Sequence, residues 1–431
     1  MAEPTLRAPG EAAAAAGRPR PATVAADALR DWLIARGVEG TDQQRLLGGY
    51  CRKLVELGLP LLRAHVAQSG FHPKYGGIGF DWTRDGGTSN ERYDFTETPR
   101  ENWRQSPFYH MLEQGLDRLR RRLEPGRPDR SFPLLAELAR RGARDYYARA
   151  LVFEPRDAVQ DAAHPIDPDA PPEGLMISWT ADGAAGFRDD HLALLDATLP
   201  ALGLALKSAS NRQMAQDLLG VYLGRDAGRR VLSGEIRRGS LQEVRAALLY
   251  FDLAGFTAMA ERLPGADMIA MLNAYFALVV ETVQGRDGHV LKFMGDGLLA
   301  MFDQPRPRDA ADAALDSAQS LLRDLERLNR ARETRGLPVA RATLALHEGK
   351  VLYGNIGAET RLDFTAIGPA VNLTARLAGM HRALERAVIV SDDLCRAATP
   401  GRHDLVSLGR YALRGVSEPR ELFTLLPAPE P

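Results

Sequence analysis

Apolar positions recur at helical spacing from Asp27, through Leu29, Trp32, Leu33 and Ile34, and a second helical run extends from Gln43 through Leu62. Between Phe71 and Trp103 this periodicity gives way to Gly, aromatic and polar residues (FHPKYGGIGFDW, then NERYDFTETPRENW), a text of strands and loops. The helix-like PLLAELARRGA follows, then two strand-like runs, YYARALVF and GLMISWTA, and a long apolar helix opening at Phe187. From Ser208 to Gly239 the pattern stays helical, with Met214, Leu218, Leu219, Tyr222 and Leu223 along one side. That stripe suits a helix packed on its own domain as well as a dimer-forming signalling helix. The strand VRAALLYFDL then opens a new domain running to about Leu426. It continues with an amphipathic helix from Ala266 to Val283, the hairpin HVLKFMGDGLLAMF, a helix from Asp309 to Arg335, the strand ATLALHEG and a helix from Ala370 to Met380. This order predicts an α/β (α+β) class with a substantially antiparallel sheet.

Composition narrows the picture. With 45% hydrophobic and 26% charged residues the 431-residue chain is not disordered as a whole, although residues 1–26 (Ala, Pro, Gly, Arg) and 427–431 are expected to be tails. A net charge of −1 argues against a nucleic-acid partner. No uninterrupted apolar run reaches the roughly 18 residues of a membrane span, and there is no signal-peptide pattern. Two cysteines, Cys51 and Cys395, make no disulfide framework, so a cytoplasmic location is expected. His72 and Cys51 are given no role, and the basic run Arg118 to Arg122 reads as the solvated face of a helix. Only five of the 55 basic residues are lysine: Lys53, Lys74, Lys207, Lys292 and Lys350. A lysine in a chemically meaningful place therefore carries more weight than usual.

Two acidic residues stand at strand ends. Asp252 closes ALLYFD and is followed by Leu253, Ala254, Gly255, Phe256 and Thr257, leading into a short helix. The glycine lets backbone amides approach an anion, and a helix N-terminus adds positive potential. Asp296 sits between Gly295 and Gly297, at the tip of a hairpin. Alone, each is an ordinary turn Asp; together they suit two hard cations held against a polyphosphate. Asn372 and Arg376, four apart, share one face of a predicted helix.

The motifs FDLAGFT, LKFMGDGLLAMF, LHEGKVLYGNIG and FTAIGPAVNLTARL, in this order, resemble those of class III nucleotidyl cyclases over residues 243–426. The resemblance implies the class III nucleotidyl cyclase fold, a ferredoxin-like mixed or antiparallel sheet flanked by helices. It also implies conversion of a nucleoside triphosphate to its 3′,5′-cyclic monophosphate and pyrophosphate. By motif, Asp252, Asp296 and the Leu253 carbonyl hold two Mg²⁺ or Mn²⁺ ions per site, and Gly255, Phe256 and Thr257 meet phosphate. Lys292 and Thr365 read the base, Asn372 orients the ribose, and Arg376 stabilises charge on the α-phosphate. Near the C-terminus YALRGVSEPRELFTL resembles the strand whose lysine binds the terminal phosphates in the family, with Arg414 in its place. A donor-only ammonium at Lys292 matches adenine N1 and opposes the guanine N1 hydrogen, which points to ATP and an adenylate cyclase. Thr365, where many family members carry Asp, resembles a Thr-containing subgroup and is permissive. Guanylate or relaxed specificity therefore stays open, as does a silent nucleotide-binding signalling module. Because one family site draws residues from two catalytic domains, a head-to-tail homodimer with composite sites is implied.

Upstream, the order strand, Trp-bearing strand, Gly-Phe, acidic turn and long apolar helix resembles the C-terminal half of a GAF-type sensory domain over about 70 residues. The implied organisation is a GAF-like α/β domain at 27–207 with N-terminal helices, a helical transducer at 208–242 and the cyclase domain at 243–426. A small-molecule or protein signal is expected at the first of these.

Overall fold

The computed structural model describes residues 21–69, 75–94, 100–124, 131–153 and 173–426. His72, most of the expected N-terminal tail and residues 427–431 lie outside the described residues. Residues 21–26, assigned to the tail from composition, instead form the start of a helix in which Ala26 is already buried. The chain divides into two compact units, Met1–Leu218 and Leu219–Pro431.

The first unit begins with helices α1 (Pro21–Val38) and α2 (Gln43–Glu56). Strands β1 (Leu61–Ser69), β2 (Tyr75–Thr83) and β3 (Gly87–Asp94) follow, then α3 (Arg100–Arg104), α4 (Pro107–Glu113), β4 (Arg118–Arg122) and α5 (Pro133–Arg140). It ends with β5 (Asp145–Val152), β6 (Gly174–Ala181) and most of α6 (Asp189–Leu223). The second predicted helix stops at Glu56, because Gly58 (φ +87°) and Pro60 break it, and the apolar run resumes as β1. All pairings in the six-stranded sheet, β3-β2-β1-β6-β5-β4, are antiparallel. One face packs with Leu33, Leu47, Tyr50, Leu195 and Leu202 of α1, α2 and α6; the other packs with Phe108, Met111 and Leu135 of α4 and α5.

The basic run Arg118 to Arg122 is strand β4, not a helix face, and its partner decides this. Arg120 Nη2 donates to Asp145 at 2.8 Å and to the Phe187 carbonyl at 2.6 Å, and Arg122 Nη1 lies 3.5 Å from the same carboxylate. Asp145 is fully buried.

The second unit takes in the last turn of α6, then α7 (Arg225–Leu232), β7 (Leu241–Ala254), α8 (Phe256–Ala260), α9 (Gly265–Gln284), β8 (His289–Met294) and β9 (Gly297–Phe302). It continues with α10 (Pro307–Glu333), β10 (Arg341–Ala358), β11 (Arg361–Ile367), α11 (Pro369–Ala378) and α12 (His381–Leu384). Strand β12 (Val388–Ser391), α13 (Asp392–Ala397), β13 (Leu405–Tyr411) and β14 (Arg420–Leu425) complete it. The sheet runs β13-β14-β12-β10-β7-β9-β8, with β11 paired to β10; only β10 and β12 are parallel. This is a mixed α+β fold, as the motif text implied. Helices α9 and α10 cover one face of the sheet through Met271, Tyr275, Val279, Leu315 and Leu321. On the other face Ala227 of α7, Phe364 and Ala366 of β11 and Ala370 of α11 meet Leu248, Leu299 and Met301.

No apolar run is uninterrupted over that length, but α6 and α9 are long and apolar enough, by length and mean composition, to cross a membrane. Each spreads its apolar residues among polar ones. Leu194, Leu195, Leu199, Leu202 and Leu206 of α6 enter the first unit's core, and Met271, Tyr275, Val279 and Val283 of α9 enter the second's.

Candidate active site

Strand β7 alternates sides. Ala247, Leu249, Phe251 and Leu253 join the core beneath α9 and α10, whereas Ala246, Leu248 and Tyr250 face the opposite layer. Period two therefore puts Asp252 on the side away from α9 and α10. The strand runs two residues past it, to Ala254, so Asp252 is an in-strand residue and not its end. In register it lies opposite Gly297 of β9 and Thr343 of β10. Gly297 leaves the room that the carboxylate needs: a Cβ there would come within 2.6 Å of the Phe251 carbonyl oxygen and 2.9 Å of Asp252 Oδ1.

Gly295 and Asp296 form the two-residue turn between β8 and β9, since Met294 pairs with Gly297. The positive φ of Gly295, +66°, is what so tight a connection requires. The hairpin thus carries the Asp296 carboxylate to the end of β7. Partial burial, and then the negative charge of Asp296, push the Asp252 carboxyl up to about 6. The same two carboxylates, after burial, raise the Tyr250 phenol. Among the described residues neither Asp252 nor Asp296 has an ion-pair partner. Two facing carboxylates without a cation are an unfavourable pair that a divalent ion would relieve. The donor set suits a hard cation: two carboxylates, with a carbonyl such as that of Leu253 and the oxygens of a phosphate ligand, would complete the site, since no group of three or more His, Cys, Asp or Glu that could hold a metal ion occurs among the described residues. Beside them Gly255 has φ +77° with open space around it, Thr257 is exposed, and the Phe256 ring packs partly on the core. Phe256 therefore has its backbone amide, not its ring, to offer a phosphate.

Lys292 lies on β8, and its ammonium donates to Asp363 Oδ2 of β11 at 2.8 Å. Along β11 Phe364 and Ala366 are buried, so Asp363 and Thr365 share the opposite side. Thr365 pairs with Gly354 of β10. On α11, Ala370, Thr374 and Leu377 are buried, which leaves Asn372 and Arg376 exposed together. Arg414 is exposed in the connection between β13 and β14, not on a strand as its motif implied; β13 ends at Tyr411 and β14 begins at Arg420.

One chain thus brings Asp252 to Asp296, and Lys292 to the strand of Thr365. Among the described residues no hydrogen bond or ion pair joins the side chains of Asn372, Arg376 or Arg414 to the carboxylates. Two residues of this region escaped the sequence reading. Gly297 was read only as a turn neighbour, although the sequence GDG held the signal. Asp363 went unremarked; its signal was the alternation of RLDFTAI, which puts it on the face of Thr365. Cys51, given no role, is fully buried, with burial pushing its thiol well up, away from the reactive thiolate.

A mixed sheet here sets two carboxylates together at a strand and a hairpin tip, an arrangement that suits divalent cations and a phosphate ligand. Residues 240–426 match the family model described as the Adenylate and Guanylate cyclase catalytic domain. The matched residues all lie in the second unit, Leu219–Pro431. An uncharacterized protein of Mycobacterium tuberculosis is 32% identical over 215 residues, which is 49% of this chain and 37% of that protein. One of Mycobacterium bovis is 32% identical over 215 residues, covering 49% and 38% respectively. The chain thus aligns with less than two fifths of the length of these relatives. Among solved structures, a bacterial light-regulated adenylyl cyclase is similar at 26% identity, covering 43% of this chain and 91% of that one with a TM-score of 0.39. The guanylyl cyclase Cya2 is similar at 26% identity over 44% of this chain and 96% of that one, with a TM-score of 0.39.

Proposed function

We propose that the protein is an adenylate cyclase that converts ATP to 3′,5′-cyclic AMP and pyrophosphate in composite sites of a head-to-tail homodimer. The observation that carries this reading is the facing pair Asp252 and Asp296, half-buried and without an ion-pair partner among the described residues, at the rim of a sheet that also carries Lys292. Two Mg²⁺ or Mn²⁺ ions, when bound there, would activate the ribose 3′-hydroxyl and neutralise the triphosphate. The chain's own residues do the rest. Asp252 and Asp296 fix the charged end of the substrate, and the backbone amides from Gly255 to Thr257 meet its phosphate oxygens. Lys292 donates to adenine N1, and Thr365 accepts from the adenine amino group. Asn372 orients the ribose, Arg376 meets charge developing on the α-phosphate, and Arg414 meets the terminal phosphates. The exposure of Asn372 and Arg376, with no partner of their own among the described residues, supports their delivery to a second copy's carboxylates.

The first unit, in this reading, is a GAF-like sensory domain, α6 transmits its signal, and the protein works in the cytoplasm. Thr365 favours a second reading, relaxed or guanylate specificity, because a hydroxyl accepts from or donates to either base. Incubation of the purified protein with Mn²⁺ and equal ATP and GTP separates the two. Cyclic AMP in large excess is expected; cyclic GMP in excess would overturn the role of Lys292, and no product from either would leave a silent nucleotide-binding module.

A further inference from the structure

On the first unit's sheet, the face beneath α4 and α5 carries polar groups that the fold does not fully satisfy. Strand alternation puts Arg63 and His65 of β1, Asp81 of β2, Ser178 and Thr180 of β6 and Tyr146 of β5 on that face, away from Trp82 and Trp179. Most of them are paired. Arg63 Nη2 lies against Asp81 Oδ1, His65 Nδ1 is 3.0 Å from Asp81 Oδ2, and the Tyr146 hydroxyl is bonded to Ser178. Among the described residues, however, Arg63 Nη1 and Thr180 Oγ1 are buried with no hydrogen-bond partner, as is Asp81 Oδ1 apart from its ion pair. Arg63 and Thr180 are also neighbours: they stand directly opposite each other in the β1–β6 register, and Thr180 is fully buried. Side chains so placed have Cβ atoms about 5 Å apart. A buried group left without a partner costs about 1–3 kcal/mol, and folded proteins keep few of them.

We infer that Arg63 and Thr180 bind the carboxylate of a small organic acid on this face of the first unit. A guanidinium N–H donates to one oxygen of such a group and a neighbouring hydroxyl to the other, so both uncommitted donors are used by one planar anion. Asp81 does not preclude a second negative charge, because Arg63 and His65 both face that one carboxylate. The body of the acid has an apolar floor. On the rungs that follow Arg63 and Thr180, the same face carries Ala67, Met176, Ala148 and Ala150, packed with Phe108 and Met111 of α4. Phe108 also stacks on His65, with ring centroids 5.8 Å apart, which sets an aromatic wall beside the charged groups. Thr180 is enclosed, whereas the Arg63 and His65 side chains are 14% exposed and that of Asp81 24%, so the charged side of the site is the one open to solvent.

Binding is read without turnover, so the test is independent of the cyclase reading. Full-length wild type, Thr180→Val and Arg63→Lys are titrated calorimetrically with acetate, succinate and benzoate, with benzamide as the uncharged control, and their melting temperatures are compared. Benzoate is expected to bind wild type and to raise the midpoint of the first unit's transition, with benzamide at least about tenfold weaker, the scale of one charge-assisted contact. Thr180→Val keeps the shape and removes a hydroxyl that has no partner in the free protein. It should therefore melt at or above wild type while binding the acid about tenfold more weakly. Arg63→Lys keeps a charge opposite Asp81 but loses the fork, and should weaken binding by a similar factor. Binding of any of the three acids that is weakened in this way by Thr180→Val supports the site. If none of them binds wild type, ordered water fills the site and the inference is overturned. It is equally overturned by a Thr180→Val protein that binds the acid as wild type does, because the acid then sits elsewhere, or by one that melts well below wild type, because the hydroxyl is then already used by the fold.

Discussion

Each unit buries an aspartate near the end of a strand, and the two are treated in opposite ways. Asp145 in the first unit is fully enclosed and fully compensated: Arg120 and Arg122 supply positive charge, and the Phe187 amide donates to it at 2.9 Å. Asp252 in the second unit is only half enclosed, yet it faces another carboxylate and, among the described residues, has no ion-pair partner. The first arrangement is what a fold needs to keep a charge inside. The second works against the fold and makes sense where something arrives from outside to complete it. The contrast separates an acid that the fold compensates from one that it leaves uncompensated, on charge pairing alone.

The contrast breaks most visibly in activity. If the proposed mechanism holds, Asp252→Ala should reduce cyclase turnover by about a thousandfold or more, while far-ultraviolet circular dichroism stays unchanged. Arg376→Ala should be similarly inactive. Mixing the two variants should recover about a quarter of wild-type activity, since half of the dimers are mixed and each rebuilds one of two sites. Zero recovery after subunit exchange, demonstrated by labelled subunits, would refute shared sites.

Stability gives the next largest effect, on the other side of the comparison. Asp145→Ala should destabilise the first unit by about 3 kcal/mol, toward the lower end for breaking a buried ion pair, because the two arginines left behind reach solvent. The loss should appear as a lower denaturant midpoint of the first unit's transition. A change below about 0.5 kcal/mol would mean that the cluster is not structural after all.

Charge reversal at the base-reading lysine falls between these and the subtler effects. Lys292→Glu replaces a donor-only group with an acceptor-only one, so it should lower kcat/KM for ATP about a hundredfold and raise that for GTP relative to ATP, measured by competition between the two. An unchanged ratio would take base reading away from this position.

How much of this was legible in sequence follows from the range of the interactions. The β8–β9 tip could be read because MGDG is local: a two-residue turn needs positive φ, and Gly295 supplies it next to the carboxylate. The alternation that turns Asp252 away from α9 and α10 was equally local, although its side depended on which face the helices cover. Long-range pairings were not legible. Nothing within RLRRR distinguishes a strand from a helix; Asp145, about 25 positions on, decides it. The helix expected through Leu62 ends at Glu56, since an apolar run looks the same before and after the Gly58 to Pro60 break. The alternation of RLDFTAI gave the face of Asp363 but not its pairing with Lys292, which lies 71 residues earlier in the chain. For Arg414 the motif fixed the order in the chain but not that the residue would lie in the connection between β13 and β14.

The smallest predicted effect is also the sharpest test of the comparison, because it asks a loss-of-function variant to be more stable. The Asp252 carboxyl is raised to about 6 in the folded chain, whereas an unfolded Asp titrates near 3.9. The folded state therefore holds more protons than the unfolded one between those values, and the stability contributed by protonated Asp252 is present below about pH 4 and lost as pH rises through about 6. Asp252→Asn removes the charge but keeps the shape, so in metal-free buffer it should raise the melting temperature of the second unit at pH 7.5 and have little effect near pH 4. For a unit of this size, and with solvent screening of a half-exposed group, a rise of about 2–4 °C is expected. Mn²⁺ should reverse the order: it should stabilise wild type, whose two carboxylates bind it, and leave the Asn variant nearly unchanged. A variant that melts below wild type in metal-free buffer at pH 7.5 would place Asp252 with Asp145, as a carboxylate the fold relies on, and would dissolve the distinction between the two.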